Sequence, residues 1–484
     1  MSEYKAFVHR IGLLGITNIL VVLSTFILVP LLTKSFGAIG YGIWIQVYVT
    51  VTLIPNIATL GLPYAMVRFL SSKEKKTEIQ ETFYSIAVIS LVGSLVLSGL
   101  LFLLSEPIAI GLFNGDTNIA RTMAIIVFFA CLNVLLLNYF RTFQQMKRYS
   151  IFLLIQTYLV VFLIIYFVSL GQGIFSALIG LLITHILLFL IMISLIIYEI
   201  GFKIPKFYNI KEYLSFGIPT MPSNLSYWIV ESSDRYIIGI LLGATFVGYY
   251  SPAYTLGNAI LTFLAPISIL LPSVLPKYYD NGDLLKLRVF VRYSLKYFLL
   301  VSIPSIFSLS ILSKPILMIL STPEIALNGY LVTPFVLLSA LIFGIYGILS
   351  NIIILKKKTH IIGIIWIIAA ILNLSLNIIL VPYFGIIAAA VVTLLAYTLA
   401  FGITLFYSLK FFKFEFDFKF ILKSIFASIV ISLIIVITNP HEIFSILIII
   451  GICAAVYIAL IIILKGISKE EFKFLKGLLK SDIK

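Results

Sequence analysis

IFSALIGLLITHILLFLIMISLIIY, residues 174–198, contains no Asp, Glu, Lys or Arg. A helix rises about 1.5 Å per residue and the hydrocarbon core is about 30 Å thick, so about 20 apolar residues cross it. Lipid offers backbone groups no hydrogen-bond partner, so such a run must be helical or belong to a closed barrel, and it is far too long for a barrel strand. His185 sits in its middle and suits a hydrogen-bonded core position better than a proton relay.

Working outward, comparable runs recur at 10–33, 41–66, 83–104, 119–140, 150–170, 212–241, 246–275, 292–312, 329–354, 361–381, 385–409, 421–438 and 442–464. They predict an all-α integral membrane protein of about 14 transmembrane helices. The composition agrees: of 484 residues 61% are hydrophobic and 11% charged. A soluble domain of this length has too little interior to hide that much apolar surface. The first run is long enough to span and lacks an obvious small-residue cleavage site, so it reads as a retained helix.

The excess of Lys and Arg (34 against 19 acidic residues) is placed, not spread. With fourteen spans the loops alternate, and one set carries 30 cations, among them Lys73, Lys75 and Lys76, Arg141, Lys147 and Arg148, and Lys356 to Lys358. The opposite set carries three, Lys34, Arg121 and Lys314. Positive loops face the cytoplasm, so both termini are expected there, in a multi-pass cell (plasma or inner) membrane protein with no nucleic-acid partner. The tail from Ser468 to Lys484 is basic and suits either an anionic lipid surface or solvent.

The chain repeats itself. Gly37-Ala38, Gly42 and Tyr48 recur as Gly243-Ala244, Gly248 and Tyr254 at an offset of 206, and Gly173-Ile174 with Ala177 recurs as Gly385-Ile386 with Ala389 at an offset of 212. Two matches in one order favour a duplication: two pseudo-repeated six-helix lobes around a central cavity, plus two C-terminal helices. The expected lobes are residues 1–200 and 201–410, followed by the last two helices and the tail at 411–484. Ten prolines inside runs, including Pro30, Pro55 and Pro252, are candidate kinks.

The clearest ionisable cluster within a span is Glu231, Asp234 and Arg235 in the seventh run. Charges at bilayer depth cost about 2.5–3.5 kcal/mol each on insertion scales, so they face a cavity or a partner. Spacings of three and four residues put the three on one helical face. Either they neutralise one another, or Arg235 contacts an anionic group while Asp234 or Glu231 exchanges a proton or sodium ion. Asn18, Gln46, Asn56, Asn133, Asn138, Asn258, Asn351, Asn373 and Asn377 add polar atoms to other spans, with Asn373 and Asn377 one turn apart. Arg10 and Arg68 close the cytoplasmic ends of the first two spans, as topology anchors or substrate contacts. Cys131 and Cys453 fall inside spans, and neither they nor the four histidines have metal-ligand spacing.

Three segments carry a family resemblance: Tyr213-Leu214-Ser215-Phe216-Gly217-Ile218-Pro219, Ser233-Asp234-Arg235-Tyr236-Ile237-Ile238-Gly239, and Val247-Gly248-Tyr249-Tyr250-Ser251-Pro252-Ala253-Tyr254. With the first-half turn from Phe36-Gly37 to Tyr41-Gly42, the chain resembles the polysaccharide-biosynthesis flippases of the multidrug, oligosaccharidyl-lipid and polysaccharide exporter superfamily. The resemblance implies a transporter, not an enzyme, that moves polyprenyl- or dolichyl-(pyro)phosphate-linked oligosaccharides to the outer leaflet by alternating access. It implies no cofactor, an ion gradient of protons or sodium as the energy source, and membrane lipids and other polysaccharide-assembly membrane proteins as partners. Arg235, Arg68, Arg10, Asn18, Asn373 and Asn377 become the substrate-binding candidates, and Asp234 and Glu231 the ion-coupling ones. The drug-exporting branch often has a first-lobe aspartate, where this first span offers only Asn18, Ser24 and Thr25. A multidrug or cation antiporter and a peptidoglycan-precursor flippase are alternatives within the superfamily. A membrane glycosyltransferase or polysaccharide polymerase fits less well, because the outer loops are short and nearly uncharged.

Overall fold

The structure is a computed structural model that describes residues 3–171, 173–414 and 416–466. The side chain of Arg10 and the basic tail from Ser468 to Lys484 lie outside the described residues. Among the described residues every regular element is helical. The α-helices are α1 (Glu3–Ala58), α2 (Leu62–Leu70), α3 (Lys76–Leu103), α4 (Ser105–Leu112), α5 (Thr117–Thr142), α6 (Met146–Ser169), α7 (Ile174–Ile200), α8 (Ile210–Gly217) and α9 (Met221–Leu242). They continue as α10 (Ala244–Asn258), α11 (Ala265–Asp280), α12 (Leu284–Leu320), α13 (Pro323–Gly329), α14 (Val332–Leu355), α15 (Thr359–Phe411), α16 (Phe418–Thr438) and α17 (Ile443–Ile463). Short 3₁₀ turns at Ile218–Thr220 and Ala259–Leu264 join α8 to α9 and α10 to α11.

Eleven stretches among the described residues are long and apolar enough to span a membrane. Two of them hold two spans each, because α1 breaks at Gly37 and α15 at Gly385. A further helix, α9, has the length to cross, and Glu231, Asp234 and Arg235 keep it from meeting the same test of apolarity. Fourteen crossings result, as the hydropathy and the loop charges predict.

The breaks also bear on the repeat. Gly37 (φ 63°, ψ −169°) matches Gly243 (φ 98°, ψ 166°), and Gly173 (φ 59°, ψ −148°) matches Gly385 (φ 63°, ψ −150°). This corner of backbone space is essentially open to glycine alone, which is why the repeated motifs are glycine motifs. The prolines act less than expected: α1 runs through Pro30 and Pro55 without leaving helical dihedrals, and Pro63, Pro222 and Pro266 occupy first turns, where no N–H is needed.

By internal contacts the chain forms two compact units. The first comprises residues 1–252, 320–325 and 360–396. Toward one end its core packs Leu32, Trp44 and Val47 against Met123, Val127, Cys131 and Leu178. Toward the other, Met66, Leu70, Phe83, Tyr139, Phe140 and Phe152 surround Met192 and Tyr213. Asn133 bridges α5 to α7 by donating from Nδ2 to the His185 carbonyl (2.9 Å) and meeting its Nδ1 at 3.1 Å, so His185 is a hydrogen-bonded core residue. The repeated turns interlock within this unit. A Cβ on Gly42 would lie 1.8 Å from the Ala244 carbonyl oxygen, and one on Gly248 would lie 2.0 Å from that of Ala38. The glycine of each copy of the motif thus accepts the backbone of the alanine in the other.

The second unit comprises residues 253–319, 326–359 and 397–484. Its core joins Val291, Leu295, Phe298, Leu349 and Phe412, and α16 packs on α17 through Ala427, Ile431, Cys453 and Tyr457. Ser424 and Tyr457 share a buried hydrogen bond of 2.7 Å. Asp417 caps α16 by accepting from the Phe420 N–H (3.0 Å) and pairs with Arg292 (3.3 Å) and Lys296 (3.5 Å) of α12. Along α16 and α17, Phe426, Leu433, Val436, Leu447, Ile458 and Ile462 are exposed, as the lipid-facing side of a membrane helix requires.

Candidate functional site

Two polar features stand out in the first unit. One is built on α9, where Asp234 and Arg235 are both buried. Neighbouring residues on a helix point about 100° apart, so they meet only if the longer side chain folds back. Arg235 does so: its Nη1 donates to Asp234 Oδ1 at 2.7 Å and also to the main-chain carbonyl of Glu231. The same carboxylate oxygen accepts the Arg235 backbone N–H (2.9 Å), and the other, Oδ2, accepts the Tyr250 hydroxyl from α10. The Arg235 guanidinium carbon also lies 5.5 Å from the Tyr250 ring centre, a cation–π distance. One anion, one cation and one phenol thereby satisfy each other where water is excluded, which is what a buried charge requires.

Other polar groups meet α9 at neighbouring residues. Ser233 Oγ donates to Asn373 Oδ1 on α15 (3.4 Å), which also accepts from Asn377 Nδ2 (3.1 Å). Both asparagines are fully buried, and Asn373 Nδ2 and Asn377 Oδ1 have no hydrogen-bond partner among the described residues. Gln46 on α1 is likewise buried with both amide atoms unpartnered, against the bare backbone of Gly239. An unsatisfied buried polar atom costs about 1–3 kcal/mol, so Gln46, Asn373 and Asn377, which meet α9 directly or through one another, call for a functional reason. Thr50 and Tyr236 complete the α1–α9 contact with a 2.5 Å hydrogen bond between hydroxyls.

The second feature is a cavity of about 100 Å³ toward the end of the unit that bears the basic loops. Pro55, Asn56 and Thr59 of α1 line it, with Gly61, Pro63 and Tyr64 at the start of α2, Val134, Asn138 and Arg141 of α5, and Met221 and Asn224 of α9. Its wall exists because the second span breaks: Leu60 (φ 51°) and Gly61 (φ 68°) turn between α1 and α2. Only a glycine fits there, since a Cβ on Gly61 would lie 2.2 Å from the Gly217 carbonyl oxygen. The Tyr64 hydroxyl reaches Asn224 Oδ1 across the cavity at 3.4 Å. Arg141 is exposed and makes no hydrogen bond or ion pair among the described residues.

The sequence candidates therefore separate. Glu231, Asp234 and Arg235 come together, with the guanidinium on the adjacent carboxylate instead of lying free on one face. Asn373 and Asn377 join them through Ser233. Arg68 lies one turn beyond Tyr64 on the same face of α2 and is exposed, while Asn18 is exposed on the first half of α1 and makes no hydrogen bond among the described residues. Three residues escaped sequence reasoning. Tyr64 and Asn224 gave no signal, and Arg141 looked like one more topology cation, although Val134, Asn138 and Arg141 follow the spacing of a single helical face.

Residues 7–274, more than half of the chain, match the family described as polysaccharide biosynthesis protein. The chain belongs to that family. The matched segment includes α9 and every residue of the cavity, and residues 219–379 also match the MatE family. A curated relative, the probable low-salt glycan biosynthesis flippase Agl15 of Haloferax volcanii, is 23% identical over 216 residues. That match spans 43% of this chain and 45% of the relative, less than half of either. Among solved structures, the lipid II flippase MurJ in its inward closed conformation superposes with a TM-score of 0.74, covering 92% of this chain and 97% of that one at 21% identity. An inward-facing multidrug resistance MATE transporter gives a TM-score of 0.64, covering 80% and 93% at 17% identity. At these identities the likeness is one of fold: this member of the polysaccharide biosynthesis family has the architecture of those membrane transporters.

Proposed function

We propose that this protein flips polyprenyl- or dolichyl-(pyro)phosphate-linked oligosaccharides from the cytoplasmic to the outer leaflet of the cell membrane by alternating access. The observation that carries the reading is the polar, arginine-bearing cavity in a unit whose outer faces are apolar. A glycolipid must move a hydrophilic head through hydrocarbon while its tail stays in lipid. A cavity lined by amides, hydroxyls and a cation at the basic, cytoplasmic end is where such a head can first leave water. A cationic drug would meet Arg141 there, which favours the anionic glycolipid over the antiporter alternative. The two six-helix lobes at 1–200 and 201–410 would supply the rocking bodies, and residues 411–484 an appendix.

For coupling we assign the ion to Asp234, with Glu231 one turn away. Arg235 then serves the head group only when Asp234 gives it up. The deciding experiment is leaflet-resolved accessibility of the lipid-linked oligosaccharide in host cells with and without the gene. Trapping on the cytoplasmic face, relieved by restoring the chain, is the expected result. An unchanged distribution with raised sensitivity to cationic compounds overturns it in favour of drug export. Accumulation of a peptidoglycan precursor alone moves the substrate to that class.

A further inference from the structure

The segment that joins α7 to α8, residues 201–209, turns apolar side chains outward. Phe202, Ile204 and Tyr208 are 70%, 76% and 72% exposed. We infer that this strap is a membrane-interface anchor whose occupant is the headgroup layer of the leaflet on the side of the basic loops. Phe202, Ile204 and Tyr208 enter the boundary of the acyl chains, and Lys206 and Lys211 meet anionic headgroups. The inference rests on the membrane-spanning fold and holds whatever the transported substrate.

The depth of the strap follows from α7. Its 27 residues rise about 40 Å against a hydrocarbon core of about 30 Å, so its two ends share about 10 Å of headgroup layer. The strap begins inside that layer. It does so at the basic end, because it lies on the first turns of α3, which follow Lys73 and Lys75.

The outward face is fixed by hydrogen bonds to α3. Gln80 Nε2 donates to the Ile200 carbonyl (2.6 Å), and the Tyr84 hydroxyl donates to the Gly201 carbonyl (2.7 Å). Glu81 Oε1 accepts the Lys206 backbone N–H (2.8 Å). Along this tied backbone the exposure alternates, with Phe202 and Ile204 out and Lys203 between them turned in. The Lys203 Nζ lies 3.3 Å from the Thr77 carbonyl oxygen and 3.8 Å from Glu81 Oε2. A loop in water does the reverse, keeping apolar side chains in and lysines out. Aromatic and apolar side chains flanked by lysines at this depth match the belt with which membrane proteins meet the interface. Lys206 and Lys211 are exposed against a single carboxylate, Glu212, within residues 201–217, which leaves positive charge for anionic lipid.

The test measures depth in the full-length chain with Cys131 and Cys453 replaced by alanine. A nitroxide on Ile204→Cys is reconstituted in vesicles of mixed phosphatidylcholine and phosphatidylglycerol. Its collisions with oxygen, which concentrates in lipid, are compared with those of a nickel chelate, which stays in water. The oxygen-to-nickel ratio should lie severalfold above that at Lys75→Cys, on the exposed α2–α3 turn, and below that at Phe426→Cys, on the lipid-facing side of α16. Adding Lys206→Gln and Lys211→Gln should lower the ratio toward the Lys75 value in the mixed vesicles and leave it unchanged in phosphatidylcholine alone. A ratio at 204 equal to that at Lys75 overturns the anchor. Protection from both reagents overturns it in favour of a face covered by protein, a second copy of this chain included. A glutamine pair without effect in the mixed vesicles overturns the role of the lysines. Should Ile204→Cys fail to fold, Phe202→Cys and Tyr208→Cys carry the same readings. No glycolipid enters the measurement, so its failure leaves the flippase reading standing, and the reverse also holds.

Discussion

Gly42→Ala tests the interlocked repeat most directly. The new Cβ would sit 1.8 Å from the Ala244 carbonyl oxygen, where ordinary contact begins at 3.4 Å, so α1 and α10 must part locally by the difference, 1.6 Å. A helical carbonyl cannot rotate aside as a side chain can. A radial gap of about 0.5–1 Å already forfeits a quarter to a half of each dispersion contact, and the flanking Tyr41, Trp44, Val247 and Tyr250 are all buried. Overpacking of this kind costs about 1–3 kcal/mol, and a backbone clash belongs at the upper end. Alanine returns about 0.8–1 kcal/mol of helix propensity, leaving a net loss of about 2 kcal/mol. Reversible unfolding in mixed micelles, read from tryptophan fluorescence, measures it. Gly99→Ala and Gly402→Ala are the controls, because nothing lies within 4 Å of a Cβ at either; they should be neutral or stabilising. Gly248→Ala should behave like Gly42→Ala, and the double variant should lose less than the sum, since the first wedge has already parted the backbones. A Gly42→Ala chain as stable as Gly99→Ala refutes the contact, and strict additivity refutes its reciprocity.

Other expectations follow from single groups. Tyr250→Phe removes the hydroxyl that Asp234 accepts and should destabilise the chain by about 1.5–3 kcal/mol, the range for a hydrogen bond to a charged group; unchanged unfolding would sink that pairing. Asp417 is held below its ordinary value: burial opposes ionisation, but the Phe420 N–H and the charges of Lys296 and Arg292 outweigh it. A depressed carboxylate stabilises the fold above its unfolded value of 3.8 and loses that contribution as pH falls through the folded one, so Asp417→Asn should flatten the stability curve below pH 3.8. An acid limb identical to wild type contradicts this. Single cysteines at Lys75 and Lys357, in a chain with Cys131 and Cys453 replaced by alanine, should react with an impermeant maleimide only in inside-out vesicles, and one at Asn114 only in right-side-out vesicles; the opposite pattern inverts the topology. Asp234→Asn should make flipping independent of the ion gradient, and full retention of that dependence removes Asp234 from coupling.

The crossings were legible in sequence because each is a local property: a run of side chains either partitions into lipid or does not, and the loop cations count the crossings independently. Even α9, with three charges, was found, because the run at 212–241 is long enough to cross and the loop cations keep their alternation only if it is counted. The repeat could be read for a related reason, since only glycine adopts the dihedrals of Gly37, Gly173, Gly243 and Gly385. The cavity was not legible. It depends on Gly61 meeting Gly217, more than 150 positions along the chain, and no periodicity reports that contact. An arginine on the last turn of a span looks the same in sequence whether it anchors topology or lines a cavity. The prolines misled for the opposite reason: a missing N–H permits a kink, and packing in α1 declines to use it.

The pairing of Asp234 with Arg235 links two events that a coupled transporter has to connect. While the carboxylate is ionised it accepts from the guanidinium, from the backbone and from Tyr250, and the guanidinium is held against it. A proton or a sodium ion at Asp234 lowers its charge and weakens its hold on Arg235. An anion at Arg235 weakens the same bond from the other side. Each ligand therefore removes a competitor of the other, and linkage requires the effect to be equal in both directions. The bond they share is buried, where breaking it with only one ligand present leaves an uncompensated charge, at a cost of several kcal/mol. Binding one ligand alone is thus disfavoured, and binding both restores neutrality. If Asp234 takes the coupling ion as proposed, a sequence that places the acid and the base side by side in a single span would gain its coupling from that adjacency, without the first-lobe aspartate that its first helix lacks.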